Sequence, residues 1–455
     1  MGPGGGGPGA REPGLKVLHV PYTYHPESVG GTEVYVEGLV GALADLGVES
    51  AIAAPGDEAT KYEHRGARVW RYTLPPVRDV ADLYDLRLEP DGFARILDAE
   101  HPDVVHMHAL TRGVSAGVAQ AAKRSGAMVV FTYHTPSVSC QRGTLMRWGR
   151  EVCEGVIDVR VCSQCVLQGL GAGDVGGRAL GALPPSIGRV LGRISPGGGA
   201  PTALRMPELM RLRRESFRAL MSEVDHVVVV AEWIRDVLRV NDVPDGKVSL
   251  SRHGLQPLDA MPTTARAAGD ASLRIVFAGR AAPLKGLRVL VDAIRLAPAA
   301  RLSLDVFAVV QSPADRRYLA DVTRDAAPDR RVRFFDPLPN AELARRLPGY
   351  DLVAVPSQCL ETGPLVVAEA FAANRPVIGS NLGGIREQVE DGVNGRLVEA
   401  GSTEDWARAL RHLAEDRAEV ARLAAGVRPP RAMSAVAVEM HALYEELTAR
   451  SATPR

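Results

Sequence analysis

Two glutamates, Glu361 and Glu369, stand eight residues apart in the stretch QCLETGPLVVAEAFAANRPVIGSNLGGIREQV, which runs from Gln358 to Val389. Thr362 is a helix-capping residue type and Pro364 suits a first helical position, so the sequence predicts a helix from about Pro364 to Ala373. Glu361 then lies in the loop before the helix and Glu369 lies inside it. At about 1.5 Å of rise per residue the carboxylates are roughly 8 to 10 Å apart. Between them, free N–H groups and the positive end of the helix dipole offer a seat for a diphosphate.

A second set of groups fits the same anion. Gly279-Arg280-Ala281-Ala282-Pro283-Leu284-Lys285-Gly286 places two cations five residues apart on a loop whose glycines allow close backbone approach. Such a pair suits a diphosphate whose charge grows as a bond to it breaks, although cations in surface loops are more often simply solvated. His134 follows the run VVFTY, at the carboxyl end of a predicted strand, where ligands of open α/β sheets gather. His106 and His108 alternate along another strand, and one of them reads as structural. Four of the five cysteines fall within 26 residues as Cys140, Cys153, Cys162 and Cys165, with spacing C-x12-C-x8-C-x2-C. Four thiolates closing on C-x2-C suit a tetrahedral zinc, less well an iron–sulfur cluster, with free or redox-active thiols the remaining alternative. Cys359 reads as a small core filler.

The elements that must carry these groups alternate. Val/Ile/Leu runs predict strands at 16–20, 50–54, 69–72, 104–108, 129–133 and 226–230. A second series follows at 273–278, 302–309, 332–335, 352–356, 377–379 and 396–398. Amphipathic segments lie between them, among them a helix from Thr32 to Leu46 that stops at Gly47. The pattern is α/β, with two doubly wound parallel sheets in tandem, joined by a polar linker. Residues 138–203 break the alternation with the cysteines and then a Gly/Pro-rich stretch, expected to be a mobile insertion near the cleft. The segment LRMPELMRLRRESFRALM reads as a basic amphipathic helix, either packed on the first domain or meeting a membrane surface or an acidic acceptor.

The order PS, ETGPLVVAEAFAANRPVIGS, NLGGIREQVEDGVNG resembles the donor-domain core of glycosyltransferase family 4, whose retaining nucleotide-sugar enzymes carry an E-x7-E signature. The resemblance implies the GT-B architecture, two Rossmann-like domains facing a cleft. Residues 15–258 would bind the acceptor and include the Cys-rich insertion, 259–271 would be the linker, and 272–430 would bind the donor. A last helix, 431–450, would cross back to the first domain. Arg280 and Lys285, in a GR-x-x-x-x-KG pattern with Gly279, would clamp the diphosphate. Glu369 would hold the ribose hydroxyls and Glu361 a hydroxyl of the transferred sugar, with Gly363, Pro364, Leu365 and Val366 as a backbone cradle. Gly30 and Gly31 would approach the donor from the opposite wall, and His134 would contact the sugar near its reacting carbon. Gly383 and Gly384 would mark a close packing point or a sugar contact. The implied reaction retains anomeric configuration and requires no catalytic metal.

Composition narrows the partners. Formal net charge is zero, which gives no electrostatic footprint for nucleic acid. The Gly/Pro-rich residues 1–14 read as disordered and lack the apolar core of a signal peptide. No run of 18 or more apolar residues predicts a transmembrane helix, so a cytoplasmic protein with at most peripheral membrane contact is expected. The expected donor is a UDP, GDP or TDP sugar, and the acceptor a small molecule, a lipid-linked group or a glycan. Two rivals share the motifs: a nucleotide-sugar epimerase of the same architecture, and a non-catalytic nucleotide-sugar binding protein.

Overall fold

The computed structural model describes residues 14–27, 30–193, 198–256 and 272–452. Residues 1–13 of the expected disordered start, and all of the expected linker 259–271, lie outside the described residues.

Short β-branched runs form the strands. In the first half these are β1 Lys16–Val20, β2 Glu49–Pro55, β3 Lys61–His64, β4 Ala67–Tyr72, β5 Val104–Met107 and β6 Met128–Tyr133. A small hairpin of β7 Met146–Arg147 and β8 Glu151–Val152 follows, then β9 His226–Val229 and β10 Val248–Leu250. One eight-stranded sheet has the order β10-β9-β6-β5-β1-β2-β4-β3. All its pairs are parallel except β3 with β4, where the edge strand turns back. The second half supplies β11 Leu273–Arg280, β12 Leu302–Val309, β13 Val332–Phe335, β14 Leu352–Val355, β15 Val377–Ser380 and β16 Gly395–Val398. They form an all-parallel sheet in the order β13-β12-β11-β14-β15-β16.

The strands expected from sequence agree with these bounds to within two residues. Four were missed: β3 because KYEH is polar, β10 because it is only three residues long, and β7 and β8 because each has only two residues. In each sheet the strand order reverses beside its first strand: β1 lies between β2 and β5, and β11 between β12 and β14. The crevice at such a reversal opens at the carboxyl ends of the strands. His19, His108 and His134 belong to the first crevice, and Arg280, Ser357 and Glu361 to the second.

The helix Gly31–Ala44 replaces the expected Thr32–Leu46; Glu33 accepts the Gly30 N–H at 2.8 Å and anchors its first turn. Its inner face carries Tyr35, Val36, Leu39 and Leu43, all buried. The helix Met433–Ala452 packs directly on that face with Met433, Val436, Met440, Tyr444 and Leu447. Each such buried side chain contributes about 1.5 to 3 kcal/mol. The last helix in the chain therefore completes the core of the first domain. Beside the interdomain crossing, Leu255 N–H donates to the Arg431 carbonyl at 2.8 Å and Met433 N–H to the Leu255 carbonyl at 2.9 Å.

The insertion differs from expectation. Its Gly/Pro-rich stretch forms helices Gly173–Gly181 and Pro185–Gly192, which pack on helices Val159–Gly169 and Gly199–Glu223. The glycines serve close helix contact: a Cβ at Gly181 would stand 2.6 Å from Gln164 Cγ, and one at Gly188 2.6 Å from Glu208 Cβ. The basic segment lies inside helix Gly199–Glu223 and is packed on the first domain, with Arg205 and Arg213 buried. Among the described residues no helix is long and apolar enough to cross a membrane.

Candidate active site between the two sheets

After β14 the chain passes Ser357 and reaches the loop Leu360–Pro364, then the helix Leu365–Ala372. Pro364, rather than Thr362, caps that helix. The Thr362 hydroxyl instead donates to the His134 carbonyl, across the cleft, at 2.5 Å. Leu365 and Val366, the first two helical residues, have N–H groups with no acceptor inside the helix.

Glu361 and Lys285 meet. Lys285 Nζ lies 2.5 Å from Glu361 Oε1, which also accepts the Ser357 hydroxyl at 2.8 Å. Burial alone would lower the Lys285 pKa, but the Glu361 carboxylate outweighs it and holds the ammonium above its usual value. The approach depends on Gly286, which has φ +72° and whose Cβ would fall 1.7 Å from the Pro356 carbonyl oxygen. No other residue type fits there. Arg280, at the end of β11, is gripped by Asp315 at 2.9 and 3.2 Å while 46% of its side chain stays exposed. Burial pushes Asp315 up, but Arg280 and the Gln311 N–H more than reverse that and keep its carboxyl low.

Glu369 has the opposite environment. Its side chain is half-buried, and that burial raises its pKa to about 7 with no cation or N–H group to offset it. Gly384 N–H donates to the Glu361 carbonyl at 2.6 Å, and Cβ atoms at Gly383 and Gly384 would strike the Leu360–Gly363 backbone. The two glycines are thus a packing point for the Glu361 loop.

The first domain grips the same loop. Trp233 Nε1 donates to the Glu361 carbonyl at 3.2 Å, and Leu360 N–H donates to the Thr144 carbonyl at 3.2 Å. Glu387 accepts the N–H groups of Glu232 and Trp233 at 2.9 and 3.1 Å and Arg252 Nη1 at 2.5 Å. A Cβ on Gly31 would be 3.7 Å from Leu365 Cδ1, so the Gly30-Gly31 turn does face the start of the donor helix. His134 Nδ1 is 3.2 Å from His253 Nε2, and its Nε2 is 3.1 Å from His108 Nδ1. His108 Nε2 is in turn 3.2 Å from His19 Nδ1, and His253 Nδ1 is 2.9 Å from the Gly363 carbonyl oxygen. Both ring nitrogens of His134 are occupied in this arrangement. His106 is bound to Tyr444 and Thr132 and is structural.

Cys140 and Cys153 flank the hairpin that covers this loop, and Cys162 and Cys165 lie on the helix Val159–Gly169. Cys140 and Cys153 pack with Leu145, Met146, Cys359, Leu360 and Leu382. Cys165 Sγ accepts the Trp148 N–H at 3.2 Å and Arg142 Nη1 at 3.6 Å. Burial raises the Cys162 thiol to about 12, with Cys140, Cys153 and Cys165 adding to the rise. The described triads whose ligand atoms lie within 4.8 Å of one another are made of His, Asp and Glu, and none includes a cysteine.

Sequence reasoning missed Asp315, Ser357, Trp233, His253 and Glu387. Ser357 stands in the quoted PS pair, and the others carry no local pattern.

The fold and this site define a two-domain GT-B protein. One family profile, "Glycosyl transferase 4-like domain", matches residues 30–252, and a second, "Glycosyl transferases group 1", matches 272–416. The chain belongs to the family 4 type of GT-B glycosyltransferases. It is 36% identical over 215 residues to a D-inositol 3-phosphate glycosyltransferase of Stackebrandtia nassauensis, covering 43% of this chain and 46% of that protein. It thus spans about half the length of the curated relatives it matches, or less. Among solved structures, sucrose-phosphate synthase of Thermosynechococcus elongatus superposes with a TM-score of 0.64 at 19% identity, over 96% of this chain and 100% of that one. Anabaena HepE in complex with UDP and glucose gives 0.61 at 14% identity, over 95% and 99%. At these identities the likeness supports the fold alone.

Proposed function

We propose that the protein transfers a sugar from a nucleoside-diphosphate sugar to a hydroxyl acceptor with retention of configuration. The observation that carries this reading is the pairing of Lys285 with Glu361 just before the helix Leu365–Ala372, with Arg280 close enough to act on Lys285 and an unpaired carboxyl at Glu369 in the same helix. The diphosphate would sit between the two cations and the free N–H groups of Leu365 and Val366. Entry of the phosphate lets Lys285 turn from Glu361 to the anion, freeing that carboxylate for a sugar hydroxyl. Glu369 accepts the ribose hydroxyls. With Glu361 assigned to a sugar hydroxyl and Glu369 to the ribose, neither carboxylate is assigned as a covalent nucleophile. The leaving phosphate oxygen takes the acceptor's proton as the bond from the anomeric carbon to phosphate breaks and the new bond forms on the same face. Arg280 and Lys285 stabilise the charge that develops on the diphosphate.

HepE holds UDP in its solved complex, and the curated relatives are named for inositol 3-phosphate. UDP sugars and polyol phosphates are therefore the first donors and acceptors to try. A surface hollow of about 740 Å³ lined by His25, Glu27, Tyr62, His64 and Arg71 opens on the first domain, on the loop that leads to Gly30, and is our candidate for the acceptor's entrance. Thermal shift against UDP, GDP, TDP and ADP and their sugars, followed by product analysis with and without acceptors, tests the function. Transfer only when acceptor is present supports it. Release of a free epimer without acceptor would make the protein an epimerase, and binding without turnover a sensor.

For the insertion we propose that Cys140, Cys153, Cys162 and Cys165 take one zinc ion. The support is that Cys140, Cys153 and Cys165 lie close enough to Cys162 to raise its thiol, together with the two N–H donors aimed at Cys165 Sγ, a pattern that favours a thiolate. The metal would brace the hairpin lying on Cys359 and Leu360, next to Glu361.

A further inference from the structure

The four histidines His19, His108, His134 and His253 form a hydrogen-bonded chain that starts in the core of the first sheet and ends on the Gly363 carbonyl. Burial lowers the pKa of each, so all four are neutral and each ring has one N–H and one lone pair.

The end of the chain fixes every proton in it. A carbonyl oxygen only accepts, so the hydrogen of His253 is on Nδ1 and its Nε2 is a lone pair. His134 must then donate from Nδ1, which leaves its Nε2 to accept from His108 Nδ1. By the same step His108 Nε2 accepts from His19 Nδ1. The chain closes on His19 Nε2, which is buried and has no partner, so what is left unmatched is a lone pair and not an N–H. All four rings hold the Nδ1–H tautomer, and each donor is polarised by the one behind it.

The residue at the receiving end needs such a support. Gly363 has φ +132°, and Pro364 caps the helix without a side-chain hydrogen bond. Within the donor domain no group is bonded to the Gly363 carbonyl; the donor that reaches it, His253, comes just after β10 of the first domain. Glu361 and Thr362, the two preceding residues, are likewise tied to Trp233 and His134 of the first domain.

We propose that His253 is a positioning residue for donor binding. Backed by His134, His108 and His19, it holds the Gly363 carbonyl and so sets the turn that presents the Leu365 and Val366 N–H groups to the diphosphate. This rests on the nucleotide-sugar reading above and adds to it a first-domain residue that governs donor affinity without touching the donor.

Two measurements test it. In ¹⁵N-labelled protein, long-range imidazole spectra, assigned with single His→Asn variants, should show His108, His134 and His253 as Nδ1–H tautomers at neutral pH. An Nε2–H or doubly protonated ring at any of the three overturns the chain. Calorimetry then compares the nucleoside diphosphate that binds the wild type with its binding to His253→Ala and His253→Asn. The Ala variant should bind about five- to tenfold more weakly, the effect of one net hydrogen bond. The Asn variant, whose amide N–H replaces Nδ1–H, should recover to within about twofold of wild type on the same reasoning. Wild-type affinity in the Ala variant, or no recovery in the Asn variant, overturns the positioning role alone. A wild type that binds no nucleoside diphosphate overturns the function as well, while the tautomer spectrum still reports on the chain.

Discussion

Replacing Glu369 with glutamine should make the empty protein more stable and its donor complex weaker. Burial without a compensating partner raises the Glu369 pKa from 4.5 to about 7. Below pH 4.5 the carboxyl is protonated in both folded and unfolded chains and costs nothing. Between 4.5 and about 7 the unfolded chain ionises first and stability falls; above about 7 the whole penalty is present. At about 1.4 kcal/mol per pH unit the gap from 4.5 to about 7 amounts to about 3.5 kcal/mol. Glutamine keeps the volume and cannot ionise. Urea unfolding near pH 8 should therefore show Glu369→Gln to be more stable by up to about 3.5 kcal/mol, and near pH 5 by a small fraction of that. Donor binding should change in the other direction, because the ribose hydroxyls seek the ionised carboxylate. Wild-type affinity should rise with pH through about 7, with release of a proton, while the glutamine variant binds weakly and without that pH dependence. Equal stabilities near pH 8, or a difference of the same size near pH 5, would refute the reasoning, since neither follows from ionisation of an uncompensated buried carboxyl.

Arg280→Ala and Lys285→Ala should each lower kcat by about 10²- to 10³-fold with a smaller change in donor affinity, because the charge they meet develops in the transition state; steady-state kinetics that show wild-type turnover would remove them from the diphosphate site. Gly286→Ala should cost about 2 kcal/mol or more, from the positive φ and the contact with Pro356, and should lower turnover by displacing Lys285, as measured by thermal unfolding and kcat on the same preparation. Elemental analysis should find about one zinc per chain, lost on Cys→Ser change at any of Cys140, Cys153, Cys162 or Cys165 and kept in Cys359→Ser. Metal-free protein with four freely titrating thiols would end that proposal.

What the sequence made legible was whatever repeats with a period or sits next to its partner in the chain. The β-branched runs showed the strands because a buried parallel strand must be apolar on both faces. Lys285 and Gly286 were visible because the glycine that permits the approach is adjacent to the cation that makes it. Asp315 is 35 residues from Arg280 and Glu387 is 155 residues from Glu232, and neither pairing leaves a local trace. Thr362 shows a different failure. Its hydroxyl suits an N-cap by type, but the His134 carbonyl across the cleft offers a better partner than the backbone two residues on. The Gly/Pro-rich insertion was read as mobile for a similar reason: low helix propensity was the only local signal, and the close helix contacts that offset it involve residues far along the chain.

The helix Met433–Ala452 has a consequence for how the molecule is made. Met433, Val436, Met440, Tyr444 and Leu447 fill one side of the first domain's core, yet they follow the whole second domain in sequence. A chain growing from its amino end thus completes the second domain before the first can close. Until that helix arrives, Tyr35, Leu39 and Leu43 present an open apolar face, and a fragment ending before residue 433 keeps it open for good. The first domain is in this sense a product of the finished chain, and the order in which the two units mature is the reverse of the order in which they begin.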